Sequence, residues 1–338
     1  MAPLLLLTGA TGYVGSHVLL DALRNGYQVR ITARSAEKAQ QVLSNPVVRA
    51  LNPGSRLTSV IVPDITVEGA FDEALQDITS IIHVGSPLPM PGADPLTDVY
   101  QPTVKGISNL LISALRFPSI NRIIITSSIV ANMAPMPDPN VTVTAASRVP
   151  LPEPETLNNV FEAYIFGKIN EINNTDAFVA QHTPPFSVAH VIPGYIFGRN
   201  DLHPGDNDTF LHNSSNGILI ASVTGNEVPN PVHKGFVHIK DLAALHLQAL
   251  EYAPTEASPR AFGACNPADY ALAYDFVAKA YPKATAEGLF SRGSIPTLPA
   301  PYDSSETERV LGFQFRSFET AVVDAAGQFL ENLGKEKA

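Results

Sequence analysis

Leu4-Leu5-Leu6-Leu7-Thr8-Gly9-Ala10-Thr11-Gly12-Tyr13-Val14-Gly15-Ser16-His17-Val18-Leu19-Leu20 is an apolar run that breaks at three spaced glycines and resumes with helical spacing. It reads as strand, tight turn and helix. Gly9 permits the turn, Gly12 has no Cβ to hold a pyrophosphate away from the backbone, and Gly15 lets the helix lie close to the strand. The unpaired N–H groups of the helix's first turn point at a negative charge. A dinucleotide is the expected occupant, held by Thr8, Gly9, Thr11, Gly12, Tyr13, Val14 and Gly15.

The next segments extend the same β-α-β unit. Gln28-Val29-Arg30-Ile31-Thr32-Ala33-Arg34 alternates as a second strand, and Ser35 suits the N-cap of a polar helix. NAD-binding versions of the unit place an Asp or Glu near this strand end to accept from the ribose hydroxyls. Here the place holds Arg34, and no carboxylate appears until Glu37. A guanidinium is permanently charged and binds two oxygens at once, which suits a 2′-phosphate. NADP(H) is therefore expected over NAD(H), with Lys38 a second phosphate contact.

A third strand covers Leu57 to Val62, and an amphipathic helix is expected to start near Phe71. Between them Asp64 can accept from an adenine amino group while Ile65 packs on the ring. The fourth strand, Ser80-Ile81-Ile82-His83, ends in Val84-Gly85-Ser86, small enough for the backbone to pass close to the cofactor. His83, on an apolar strand, reads as a hydrogen-bonded structural residue. A helix follows over Val99 to Leu115, then a fifth strand, Asn121 to Ser128, whose hydroxyl-rich end lies at the carboxyl edge of a parallel sheet, where such folds bind ligands. A loop over Ala134 to Pro154, a helix over Asn158 to Ala180 and a sixth strand over Pro185 to Ile192 complete the alternation.

The expected class is α/β: a Rossmann-type doubly wound parallel sheet with a smaller C-terminal substrate-binding lid. The division places 1–198 and 235–253 in the dinucleotide-binding domain and 199–234 and 254–338 in the lid.

Composition bounds the function. The 338 residues are 45% hydrophobic and 16% charged, with a formal net charge of -10, which speaks against a nucleic-acid or anionic-membrane surface. The start Met1-Ala2-Pro3-Leu4 lacks a basic segment and a cleavage pattern, and no apolar run reaches the ~20 residues of a membrane span. A cytoplasmic protein is expected, its matches to the glycosylation sequon fortuitous. Cys265 is a lone cysteine, read as a buried small residue, and His203, His212, His233, His238 and His246 have no ligand spacing, so no metal is expected.

The chemistry resides in Ser128, Tyr164 and Lys168. Tyr164-Ile165-Phe166-Gly167-Lys168 puts Tyr and Lys four apart, on one helical face. A phenol with a resting pKa of about 10 is a poor acid near neutrality, and a nearby ammonium favours its phenolate. Tyr164 can then protonate a carbonyl oxygen while a hydride arrives from the cofactor, with Lys168 holding the ribose and Ser128 donating to the same oxygen. Ser127 competes with Ser128, and alternation at a strand's end does not decide between them.

The order of glycine turn, Thr126-Ser127-Ser128, Tyr164 with Lys168, and Pro193-Gly194-Tyr195-Ile196-Phe197-Gly198 resembles the extended short-chain dehydrogenase/reductases over essentially the whole chain. Val29 to Ser35 and Ile82 to Pro87 bring it nearest the dihydroflavonol reductase and fungal aldehyde/ketone reductase group. The resemblance implies Ser128, Tyr164 and Lys168 as the catalytic set, favours Ser128 over Ser127 by register, and sets Pro193 beside the nicotinamide carboxamide. Gly167 departs from the serine usual before the lysine. The implied activity is NADPH-dependent reduction of an aldehyde or ketone. A nucleotide-sugar epimerase uses the same turn and Tyr-Lys pair, usually with NAD, against which Arg34 speaks; a non-catalytic NADP sensor need not keep the set. Leu88, Met90, Phe161, Phe197, Leu202 and Phe210 are expected to line or cover the pocket, which suits a bulky hydrophobic carbonyl compound. Oligomeric state is left open.

Overall fold

The computed structural model describes residues 3–134, 137–150, 157–253, 255, 260–298 and 300–335. Met1, Ala2 and, within the expected 134–154 loop, residues 135–136 and 151–154 lie outside them. Two compact units form: one holds Met1–Met136, Ala145–Ile192 and Leu245–Phe262, the other Pro137–Thr144, Pro193–Ala244 and Gly263–Ala338.

The first unit is built on β1 (Leu4–Thr8), α1 (Tyr13–Arg24), β2 (Gln28–Ala33), α2 (Ala36–Leu43), β3 (Leu57–Ile61), β4 (Ser80–His83), α3 (Gln101–Ala114), β5 (Arg122–Thr126), α4 (Val160–His182) and β6 (Ser187–Pro193). Helix α5 (Ile239–Glu251) and strand β7 (Ala261–Ala264) follow. The sheet order is β7-β6-β5-β4-β1-β2-β3, and β1 pairs in parallel with both β2 and β4. The chain thus winds outward in one direction through β2 and β3, then reverses through β4, β5 and β6. Such a sheet binds ligands beyond its strand ends, at the reversal between β1 and β4.

The apolar runs explain the layering. Strands β4 and β5 are buried along their whole length, as sheets covered on both faces require. Leu6, Ile81, Ile123 and Ile125 pack with Leu110 and Leu111 of α3 and with Phe71 and Leu75. The helix expected near Phe71 does not form. Gln76 N donates to Glu73 O and Ile78 N to Leu75 O, whereas Leu75 N reaches four residues back to Phe71 O. Gly69 and Asp77 bracket the stretch with φ of 75° and 62°. It is a run of turns in which Phe71, Ala74, Leu75 and Ile78 are nevertheless buried; the apolar spacing recorded packing without a continuous helix.

In the second unit, Tyr195–Phe197 pairs in parallel with Gly235–His238, which pairs antiparallel with Asn266–Pro267. Helix Phe318–Asn332 packs over them through Phe318, Val322 and Ala325. Phe197 and Phe210 belong to this core, and Leu202 is likewise buried, so these three are packing residues and not the pocket lining expected of them. Aromatic and aliphatic residues repeat in a core for the same reason they would repeat around a hydrophobic ligand. The unit boundaries also differ from the expected division: 193–198 and 235–244 fall in the second unit, and Val143–Thr144 joins it by pairing with Tyr302–Asp303.

Two stability outcomes follow from the sheet unit. A Cβ at Gly15 would lie 2.1 Å from Gly9 O, whereas one at Gly12 meets only Gly9 O, at 3.5 Å. Gly15→Ala is expected to cost about 3 kcal/mol or more in urea unfolding, and Gly12→Ala less than about 1 kcal/mol. His83 and His190 are both buried, and burial holds each ring's pKa down to about 3. Their unfolded value is near 6.5, so as pH falls from there toward 3 the unfolded chain binds protons that the native state does not. Unfolding free energy must drop in that window, by up to about 1.4 kcal/mol per pH unit for each ring, and His190→Leu should remove one ring's share of the slope.

Candidate active site

The glycine turn and the end of β4 meet backbone to backbone. Gly9 has φ of 74°, and a Cβ on it would stand 2.6 Å from Gly85 N and 2.8 Å from Gly85 Cα. Thr8 fastens this crossing: its Oγ1 accepts from Val84 N at 3.1 Å and from Gly85 N at 3.0 Å. With both N–H donors directed at it, the hydroxyl gives its own proton to His83 Nδ1, 2.9 Å away. His83 is therefore the neutral, hydrogen-bonded residue expected, and the Thr8 hydroxyl is engaged within the protein.

Above the crossing, Gly12 begins α1 with no side-chain cap and no acidic residue in the first turn. Gly12 is exposed, and Thr11, Tyr13 and Val14 are half-buried beside it. The protein's own packing demands glycine at Gly9 and Gly15 but leaves room at Gly12. An open cradle at the mouth of an uncapped helix suits a pyrophosphate. Ser86 follows the crossing, and its buried Oγ has no partner among the described residues.

Arg34 and Lys38 are exposed beyond β2, and no ion pair involves either side chain among the described residues. Ser35 between them caps α2 by accepting from Lys38 N at 3.2 Å. Arg30, four residues before Arg34, is occupied elsewhere, donating to the carbonyls of Ala74 and Gln76. Asp64 accepts from Thr66 N and Thr66 Oγ1 through Oδ1, which holds its carboxyl below the usual range and leaves Oδ2 unused. Asn109 of α3 donates to Ile65 O at 2.9 Å and to Val67 O at 3.1 Å, and Ile65 packs where a side chain on Gly106 would stand. Asn109 is thus a positioning residue for the Asp64-Ile65 loop, a function its mid-helix place did not disclose.

The end of β5 carries the hydroxyls. Ser127 N donates to Val191 O at 2.8 Å, and its buried Oγ is unpartnered among the described residues. Ser128 is half-buried in extended backbone, φ -158° and ψ 154°, and its Oγ meets Val130 N only at 3.5 Å. Of the two, Ser128 is the one solvent can reach. Pro193 is buried as the last residue of β6.

Helix α4 starts at Val160 because Asn159 caps it, its Oδ1 accepting from Phe161 N and Glu162 N. Tyr164 is half-buried on this helix; Lys168, one turn on, is 2% exposed. Lys168 Nζ donates to Thr126 O at 3.1 Å, tying the Tyr-Lys helix to the serine-bearing strand end. It also lies 3.1 and 3.0 Å from the two carboxylate oxygens of Glu171. Glu171 is fully buried, and burial pushes its pKa up against the opposing pull of Lys168. The sequence reading missed Glu171. Its signal was a carboxylate seven residues after Tyr164 and three after Lys168, in the same stripe of the helix.

Gly167 accommodates a neighbour: a Cβ there would lie 3.2 Å from Thr103 Cβ and Cγ2 of α3. The absent serine is thus matched by a β-branched residue facing it. No group of three or more His, Cys, Asp or Glu side chains suits a metal among the described residues, Cys265 is buried, and no helix is long and apolar enough to cross a membrane.

Comparison with known proteins bears on this arrangement. Residues 5–265 match the model of the NAD dependent epimerase/dehydratase family. A ketoreductase of Cercospora nicotianae, CTB6, is 34% identical, with 97% of this chain and 95% of that protein covered. A protein of Candida albicans named as a putative NADPH-dependent methylglyoxal reductase, GRP2, is 27% identical over 96% of this chain and 97% of its own. The crystal structure of Candida albicans Gre2 with NADPH superposes with a TM-score of 0.83 at 23% identity, covering 98% of this chain and 99% of that one. The chain belongs to the NAD dependent epimerase/dehydratase family, and so to the extended short-chain dehydrogenase/reductases that its motifs resemble.

Proposed function

We propose that this protein reduces an aldehyde or ketone to the alcohol with NADPH, reversibly, with Tyr164 as proton donor. The observation that carries the reading is the hydrogen bond from Lys168 Nζ to Thr126 O, because it sets the phenol-bearing helix face against the strand end that bears Ser127 and Ser128. The names of the ketoreductase and the NADPH-dependent reductase among its relatives support it.

The residues fit the cofactor. The open cradle at Gly12 and the uncapped turn of α1 suit the pyrophosphate, Asp64 Oδ2 and Ile65 suit the adenine, and Arg34 with Lys38 suits a 2′-phosphate. Val84, Gly85 and Ser86 would hold the nicotinamide side, where the family resemblance also sets Pro193. Bound NADPH supplies the hydride. Ser128 donates to the substrate's carbonyl oxygen and orients it, and Tyr164 delivers the proton as negative charge develops there. Lys168 stabilises the resulting phenolate; its three N–H donors are directed at Thr126 O and the Glu171 carboxylate, so the expected contact to the ribose hydroxyls would require one of these to be exchanged. Leu88 and Phe161 are 52% and 50% exposed, and Met90 is exposed as well; large apolar side chains left open in the first unit favour a hydrophobic substrate.

Incubation with NADPH and a panel of aromatic aldehydes, β-keto esters and flavonoid-like ketones should consume the reduced nicotinamide. Tight NADPH binding without turnover on any carbonyl would leave a sensor in place of a reductase. Tyr164→Phe is expected to lower kcat at least a hundredfold while leaving NADPH affinity nearly unchanged. Arg34→Ala should raise the KM for NADPH roughly tenfold to a hundredfold and scarcely alter that for NADH; equal effects on both would remove the 2′-phosphate from its assignment.

A further inference from the structure

Glu171 poses a problem that stability does not answer. A buried ion pair repays the desolvation of two charges only when the remaining lone pairs and protons are also satisfied. Glu171 is 0% exposed, and the structure gives both of its carboxylate oxygens the same partner, Lys168 Nζ. Two apolar side chains of similar volume would serve the core at least as well. The ammonium, in turn, has its donors divided between that carboxylate and Thr126 O. Tyr164, Lys168 and Glu171 stand at i, i+4 and i+7 on α4, one continuous stripe.

We infer that Glu171 is a positioning residue for the proposed reaction: it holds the Lys168 ammonium against Thr126 and offsets its charge, and so sets the pH at which the Tyr164 phenol gives up its proton. This rests on the reading of Tyr164 as proton donor. An ammonium alone beside the phenol favours phenolate strongly, and a carboxylate on that ammonium weakens the pull. The phenol then keeps its proton over a wider pH range, as a proton donor must.

Other charges do not stand in for Glu171. His83 of β4 and His190 of β6 both feel Lys168, and burial keeps both neutral above about pH 3. Arg148 and Asp176, which also act on His190, pair with each other at 2.7 Å. Thr126 offers Lys168 a carbonyl, and its hydroxyl pairs with His246 Nε2 at 2.7 Å.

The test is a titration of phenolate by ultraviolet absorbance, taken as the difference between each protein and its Tyr164→Phe counterpart, with and without saturating NADP+. Glu171→Gln keeps an oxygen for Lys168 Nζ but removes the charge; it should shift Tyr164 ionisation down by about one pH unit. The acid limb of alcohol oxidation should move with it, about a tenfold gain in rate at a fixed pH on that limb. A folded Glu171→Gln protein whose Tyr164 titrates unmoved or higher overturns the inference and makes Glu171 a packing residue. Should the Gln variant fail to fold, Glu171→Asp, one methylene shorter, decides by the same reading: a smaller downward shift supports the assignment and an unmoved titration overturns it. Failure of the reductase reading is separate, since it would appear as wild-type protein without turnover, while the titration of the unliganded protein still reports on Glu171.

Discussion

The sheet unit depends on one contact: the passage of the Gly9 backbone within van der Waals limits of Gly85, at the point where the sheet reverses direction. No side chain fits between the two turns, and Thr8 locks them with one hydroxyl that accepts from Val84 N and Gly85 N and donates to His83. Thr8, His83, Val84 and Gly85, at and just beyond the ends of β1 and β4, thereby fix where α1 points its uncapped N-terminus. The threonine holds the platform on which a ligand would rest and leaves the ligand itself to backbone N–H groups. That division explains why Gly9 and Gly15 are sterically compelled while Gly12 is not: the first two close the platform, and the third faces away from it.

A second tie brings chemistry to the same sheet. Lys168 reaches from α4 to the carbonyl of Thr126, whose hydroxyl is held in turn by His246 of α5. The strand end is therefore gripped from two helices before Ser127 and Ser128 begin. A long side chain such as lysine loses much conformational freedom when fixed, and an ammonium in the interior costs desolvation that only close partners offset. Glu171, three residues on, supplies such a partner at 3.0 Å.

The fold was legible where one interaction dominates over several residues. Runs such as Arg122 to Thr126 are buried on both faces, so hydrophobicity alone marks them, and the glycine spacing marks the turn. It was illegible where apolar spacing serves two ends. Phe71 to Ile78 carries helix-like spacing but folds as turns, because the left-handed backbone at Gly69 and Asp77 breaks the ladder at both sides. Phe197 and Phe210 resembled a pocket lining and are core. At the candidate site, residues within a motif could be named from the sequence as candidates, and those tied only to a partner elsewhere could not. Asn109 and Glu171 belong to the second kind, since each is defined by a partner far off along the chain or buried beneath it.

The contrast between Arg30 and Arg34 sharpens the cofactor argument. Both lie along or just beyond β2, and composition cannot tell them apart. Arg30 closes the carbonyls of the turn run at Ala74 and Gln76, so its charge stabilises the fold. Arg34 lies past the strand's last residue and is exposed beside the capping Ser35, with Lys38 one turn further on. Two cations near one strand end repel each other, and Glu37, which lies between them in sequence, forms an ion pair with neither among the described residues. Ser35, beside Arg34, is engaged in capping. A bound dianion such as a 2′-phosphate would turn that repulsion into attraction, and the proposed roles of Arg34 and Lys38 rest on this local balance of charge.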